Sequence, residues 1–160
     1  MPLVLELLRH GEALPAGAES DSARRLSAAG ERALEQLAAT LAAEHWRPDR
    51  VLASPLPRAR ESARIVLEPL VPPLEPEMLD ELAASPPPEA FIALLGDLGV
   101  TDGRVLLVGH QPLIGQLAHY LEGGREREIP PGTFVRLECP EGLRAQRCRV
   151  VKKLIPGRAK

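Results

Sequence analysis

Residues 3–12 read Leu3-Val4-Leu5-Glu6-Leu7-Leu8-Arg9-His10-Gly11-Glu12. The apolar run Leu3 to Leu8 has the character of a buried strand, and it stops abruptly at a cation, an imidazole and a glycine. In α/β proteins, ligands bind outside the carboxyl ends of the strands. The stretch therefore indicates a fold class and a site together. An Arg beside a His at such a position points to chemistry on an anion. Glu6 is the odd residue, because a carboxylate in a central strand needs a partner or an exposed end.

Further along, the pattern alternates between strands and helices. A loop of about residues 11–26 leads to Ser27, a good N-cap, and Ala28–Glu44 places Leu34, Leu37, Ala38 and Leu41 on one helical face. Arg50–Ala53 reads as a second strand ended by Ser54-Pro55, and a helix is predicted over Pro57–Glu68. A weak strand at Glu77–Leu79 and a helix at Glu89–Leu98 follow. Arg104–Val108 is a continuous apolar run that ends in Gly109-His110, as expected of a parallel strand buried on both faces. Pro112 suits the first turn of a helix running to about Leu121. Thr133–Glu138 and Gln146–Leu154 read as a terminal antiparallel pair. The expectation is one domain over residues 1–160: a three-layer α/β/α sandwich with a mostly parallel sheet and an antiparallel C-terminal strand pair.

Composition narrows the function classes. A chain of 160 residues with 44% hydrophobic and 26% charged residues is ordinary for a globular domain. Net charge of -2 and 2% aromatics argue against nucleic acid, which needs a basic surface and stacking rings. No apolar stretch is long enough to span a bilayer, and the first strand lacks the leader pattern of a signal peptide. A cytoplasmic protein is expected. Cys139 and Cys148 flank a turn without metal-site spacing, and reduced thiols are expected of them. His45 and His119 read as surface or packing residues, and Arg125-Glu126-Arg127-Glu128 as a solvated loop of compensating charges.

Three strand ends deliver polar groups to one rim: Arg9-His10, Ser54 with Arg58 one turn on, and Gly109-His110. Two guanidiniums around two imidazoles suit a small multivalent anion, above all phosphate. Backbone N–H groups at the helix start near Pro112 would add partial positive charge. His10 is the candidate nucleophile, held in a tight turn that Gly11 permits, with its second nitrogen on an acceptor such as a backbone carbonyl. Arg9, Arg58 and His110 would bind the phosphate and stabilise the transferring group, each such contact being worth about 3 kcal/mol. Fixed cations can stand in for a metal, so neither metal nor cofactor is expected. Ser54 reads as support for its turn. Asp80, Glu81 and Glu12 are the candidate proton donors to a leaving alkoxide; an imidazole leaving group needs one less.

At this point the residues resemble the histidine phosphatase (phosphoglycerate mutase-like) superfamily, whose signature is an RHG triplet after the first strand. Leu26-Ser27 with Gly30 resembles its helix start, Ala53–Ala59 its "SP..RA" segment, and Val108–Pro112 its second-histidine strand end. The four segments lie in order across residues 3–121. The short chain, the RHGEA start and the loop Ser20–Arg24 are most similar to SixA-type phosphohistidine phosphatases. The resemblance implies a phospho-His10 intermediate with Arg9, Arg58 and His110 on the phosphate. Glu81 falls near where larger relatives carry their proton donor. An open pocket implies a phosphorylated protein as partner; the alternatives are a small-molecule phosphomonoesterase of the same superfamily and a non-catalytic phosphoprotein-binding module.

Overall fold

The computed structural model describes residues 2–17, 20–125 and 129–157; residues 126–128, three of the run Arg125–Glu128 that the sequence reads as a solvated loop, lie outside the described residues. Its strands are β1 (Leu3–Arg9), β2 (Arg50–Ala53), β3 (Glu77–Met78), β4 (Gly103–Gly109), β5 (Phe134–Cys139) and β6 (Arg149–Leu154). Its helices are α1 (Ala28–Ala43), α2 (Pro57–Leu67), α3 (Glu81–Ala84), α4 (Pro88–Asp97) and α5 (Leu113–Glu122), with a 3-10 turn at Asp21–Ala23.

The six strands form one sheet in the order β3-β2-β4-β1-β5-β6. β3, β2, β4 and β1 run parallel, and β5 pairs antiparallel with both β1 and β6. The α/β class and the antiparallel terminal pair are thus as the residue pattern predicts. Two segments differ. Asp80–Ala84, expected as loop, holds the short helix α3, because Asp80 O accepts from Ala83 and Ala84 N–H. The last strand starts at Arg149 and not Gln146, since Gln146 takes a positive φ of 58° and its N–H caps Tyr120 O.

The period-2 alternation of β1 and β4 divides the core. Leu3, Leu5, Leu7, Val105 and Leu107 pack with Phe91 and Leu95 of α4 and Leu113, Leu117 and Leu121 of α5. Leu8, Leu106 and Val108 pack on the other face with Leu34, Leu37 and Leu41 of α1 and Ala59, Ala63 and Val66 of α2. β1 and β4 are neighbours, yet the helices that follow them lie on opposite faces. That arrangement opens a crevice at their carboxyl ends, the topological switch point of a parallel sheet.

Ser27 caps α1 by accepting from Gly30 N–H at 3.0 Å. Gly30 is required by a close approach: a Cβ there would lie 2.2 Å from Glu12 O. Glu6 is fully buried and finds partners on all sides, accepting from Trp46 Nε1 at 2.8 Å, Arg104 Nη1 at 2.6 Å and Arg136 Nε at 2.7 Å. Cys139 and Cys148 are free, buried and adjacent across the β5–β6 turn. Among the described residues, no helix is long and apolar enough to cross a membrane.

Candidate functional site

Sheet hydrogen bonding continues one residue past the strands. His10 N–H donates to Gly109 O at 2.9 Å, and Ser54 N–H donates to Val108 O at 2.9 Å. The residues that end β1, β2 and β4 are therefore locked side by side. The His10 and His110 rings lie 5.0 Å apart at 54°, both 7% exposed. Arg58 enters from the first turn of α2, where Pro57 pre-sets the helical φ, and it too is 7% exposed. The fields of both Arg9 and Arg58 reach both imidazoles.

His10 Nδ1 lies 2.8 Å from Gly11 O. A carbonyl only accepts, so Nδ1 carries the proton and Nε2 keeps its lone pair. Burial lowers the His10 pKa from 6.5 to about 4, with the Gly11 hydrogen bond opposing and Arg58 and Arg9 reinforcing. His110 is lowered to about 3 by burial, then by His10, Arg58 and Arg9. Both rings are neutral at neutral pH.

The turn after β1 is tied to α2. Gly11 N–H donates to Ser62 Oγ at 3.0 Å, and Ser62 O–H donates to Arg58 O at 2.6 Å. Gly11 itself has no positive φ, contrary to the expected reason for a glycine. Its lack of a side chain matters for packing, as a Cβ would lie 2.8 Å from Leu34 Cδ1. On the other side, Arg9 Nη1 donates to Ile129 O at 2.7 Å, and Gly132 N–H reaches Arg9 O and His10 O at 3.0 and 2.9 Å.

His110 Nε2 lies 2.7 Å from Ser54 Oγ, a wholly buried hydroxyl. Two buried nitrogens at the site, Arg58 Nε and His110 Nδ1, have no partner among the described residues. Arg58 Nε–H is thus an unsatisfied buried donor, which costs about 1–3 kcal/mol, and His110 Nδ1 is an unpaired buried polar atom next to it, so the site is prepared for a polar ligand. The helix start contributes less than expected. Ile114 N–H already donates to His110 O, and Gly115 N–H donates to Gln111 Oε1 at 2.7 Å.

Carboxylates stand around this centre in different ways. Asp21 Oδ2 is 3.5 Å from Arg58 Nη2, and Asp21 O accepts from Arg58 Nη1 at 3.0 Å. The hydrogen bond from Arg24 holds the Asp21 carboxyl below its usual range, and Arg58 adds to that. Glu12 Oε1 accepts from Ser27 O–H at 2.8 Å at the head of α1. Asp80 and Glu81 are exposed. Leu82 would sit 3.3 Å from a Cβ on Gly109, which places α3 at the rim beside His110, and the Glu81 side chain itself is exposed. Sequence reasoning missed Asp21 and Ser62. Ser62 stands one turn after Arg58, and that spacing was its only signal.

A family model described as the histidine phosphatase superfamily (branch 1) matches residues 5–85. Among solved structures, the protein histidine phosphatase SixA complexed with tungstate is similar at a TM-score of 0.82 and 27% identity, covering 96% of this chain and 97% of that one. A candidate SixA phosphohistidine phosphatase from Agrobacterium tumefaciens gives 0.80 and 25%, covering 98% and 100%. A candidate alpha-ribazole-5'-phosphate phosphatase from Escherichia coli, at 0.73 and 20% with 99% and 98% covered, shares the fold. No curated protein sequence matches the chain.

Proposed function

The chain belongs to the histidine phosphatase superfamily and is a phosphatase, and on that premise we propose that it hydrolyses phosphohistidine in a cytoplasmic protein through a covalent phospho-His10 intermediate. The observation that carries this reading is the state of His10: a neutral ring whose Nδ1 proton is engaged by Gly11 O, leaving the Nε2 lone pair to attack. Arg9, Arg58 and His110 supply the surrounding donors. As Nε2 bonds to phosphorus, the P–N bond to the substrate breaks. A phosphoimidazole protonated on its far nitrogen leaves as a neutral imidazole. His10 becomes a phosphoimidazolium whose positive charge is shared with the Gly11 carbonyl, and that charge keeps it a good leaving group. Water then attacks phosphorus, the P–Nε2 bond breaks, the water proton passes to a phosphate oxygen, and His10 returns to its neutral form.

The substrate class follows from the acid that this route does not need. Among the described carboxylates, Asp21 is held ionised by arginines, Glu12 accepts from Ser27, and Asp80 and Glu81 stand in solvent. None of these four is buried, and none is hydrogen-bonded to His10 or His110. Labelled phosphohistidine protein should transfer its label to His10 on rapid quenching, and His10→Ala should show neither label nor turnover. Normal hydrolysis by that variant would sink the nucleophile assignment. A second reading, a small-molecule phosphomonoesterase, draws on the place of Glu81 at the rim. Faster turnover of metabolite esters than of phosphohistidine protein, lost in Glu81→Gln, would favour it. A non-catalytic binding module would bind phosphoprotein and never form the labelled enzyme.

A further inference from the structure

We propose that Ser54 is a positioning residue that sets the tautomer of His110, so that His110 presents Nδ1–H as a donor to a phosphoryl oxygen. The inference rests on the reading of the site as a phosphoryl pocket, and it adds a residue that touches none of the reacting atoms.

Proton counting leads to it. Ser54 Oγ is enclosed and already accepts from Leu56 N–H at 3.2 Å. His110 Nε2 lies 2.7 Å from the same oxygen. If Nε2 carried the ring proton, two N–H groups would point at Oγ. The hydroxyl proton would then have no acceptor among the described residues, and His110 Nδ1 would be a buried lone pair facing an anion. Both would be costly. If the hydroxyl donates to Nε2, every group at Ser54 is matched. The one atom left over is His110 Nδ1–H, which is buried and without a partner among the described residues. A phosphoryl oxygen completes it.

The two histidines would then share one tautomer for opposite purposes. In His10 the Gly11 carbonyl consumes Nδ1–H and exposes a lone pair. In His110 the Ser54 hydroxyl consumes a lone pair and exposes N–H. Ser54 is placed to do so by β2, whose end is bonded to Val108 of the strand that carries His110. The Pro55-Leu56-Pro57 turn then folds Leu56 N–H back onto Oγ, which aims the hydroxyl proton away from that turn and toward His110.

The test is nitrogen-15 NMR of the full chain with labelled histidine at pH 7. The expected spectrum has His110 with a protonated Nδ1 and an unprotonated Nε2, and its Nδ1 proton moves downfield on adding inorganic phosphate. A His110 protonated on Nε2 overturns the proposal. Ser54→Ala should shift His110 toward the Nε2–H tautomer and lower kcat about tenfold, the worth of one neutral hydrogen bond. Ser54→Thr should restore both. An unchanged tautomer in folded Ser54→Ala also overturns the proposal; if that variant does not fold, the wild-type spectrum decides alone. The two readings fail separately. A wrong tautomer with intact phospho-His10 labelling sinks only the role of Ser54, whereas loss of labelling with the expected tautomer sinks the phosphatase mechanism.

Discussion

β1 carries two buried polar centres, and they are finished differently. Around Glu6 the carboxylate meets an indole N–H and two guanidiniums, and Arg136 in addition lies over the Phe134 ring and 3.6 Å from Glu44. Around His10 the donors converge without closing on one another, and Arg58 Nε and His110 Nδ1 stay unmatched among the described residues. A buried charge whose hydrogen bonds are all satisfied locally is costly to break and offers nothing to a ligand. Buried polar atoms left unmatched at the end of a parallel sheet are set for a ligand.

The contrast can be broken by substitution on either side. His10→Ala removes the lone pair, and turnover on phosphohistidine protein should fall by about 10⁴-fold or more. Its thermal unfolding midpoint should not drop, since a desolvated ring is lost; a folded variant with ordinary turnover would erase the distinction. Glu6→Ala should do the reverse. Leaving Arg104 and Arg136 facing an empty partner should cost about 3–5 kcal/mol in urea unfolding. The kcat per folded molecule should stay within about twofold, and a stable Glu6→Ala protein with lost activity would contradict this.

Arg58→Ala comes next, with a fall in kcat/KM of about 10²–10³ and weaker tungstate binding by calorimetry. Stability should change little, because among the described residues its ion-pair partner is Asp21, and Asp21 is exposed. Unchanged tungstate affinity would remove Arg58 from the site.

The buried imidazoles add a pH signature. Their folded pKa values, about 4 and about 3, lie below the unfolded 6.5. The unfolded chain therefore binds protons first as pH falls, and stability is lost from pH 6.5 down to about 3, on the order of 3–5 kcal/mol per histidine. Phosphate should offset the loss. Denaturant unfolding of wild type and His10→Gln between pH 7 and 4 checks the sign, because the variant should be less sensitive to acid. The smallest effect is expected for Glu81→Gln on phosphohistidine protein, less than about threefold, since an imidazole leaving group needs little acid help.

Much of this was legible in the residues. The runs Leu3–Leu8 and Arg104–Val108 read as buried strands, and each leads to a histidine, so two walls of the candidate site could be placed at once. Arg58 followed from Pro57 and the helix start. Less legible was why Glu6 is tolerated. Its partners come from the loop after α1, from β4 and from β5, and only strand pairing brings Arg136 opposite Glu6. Gly11 also misled: a glycine in the turn after a strand suggests a positive φ, whereas here its missing side chain makes room for Leu34.

The sequence by itself determined the alternation of strands and helices and the family, and it nominated the residues proposed to meet a phosphate, because periodicity, turn chemistry and short motifs are local. Only the tertiary structure decided protonation and satisfaction. Which nitrogen of His10 carries its proton, which hydroxyl faces His110, and which donors stay unmatched all depend on the end-to-end alignment of β2, β4 and β1, a contact order that no local window contains.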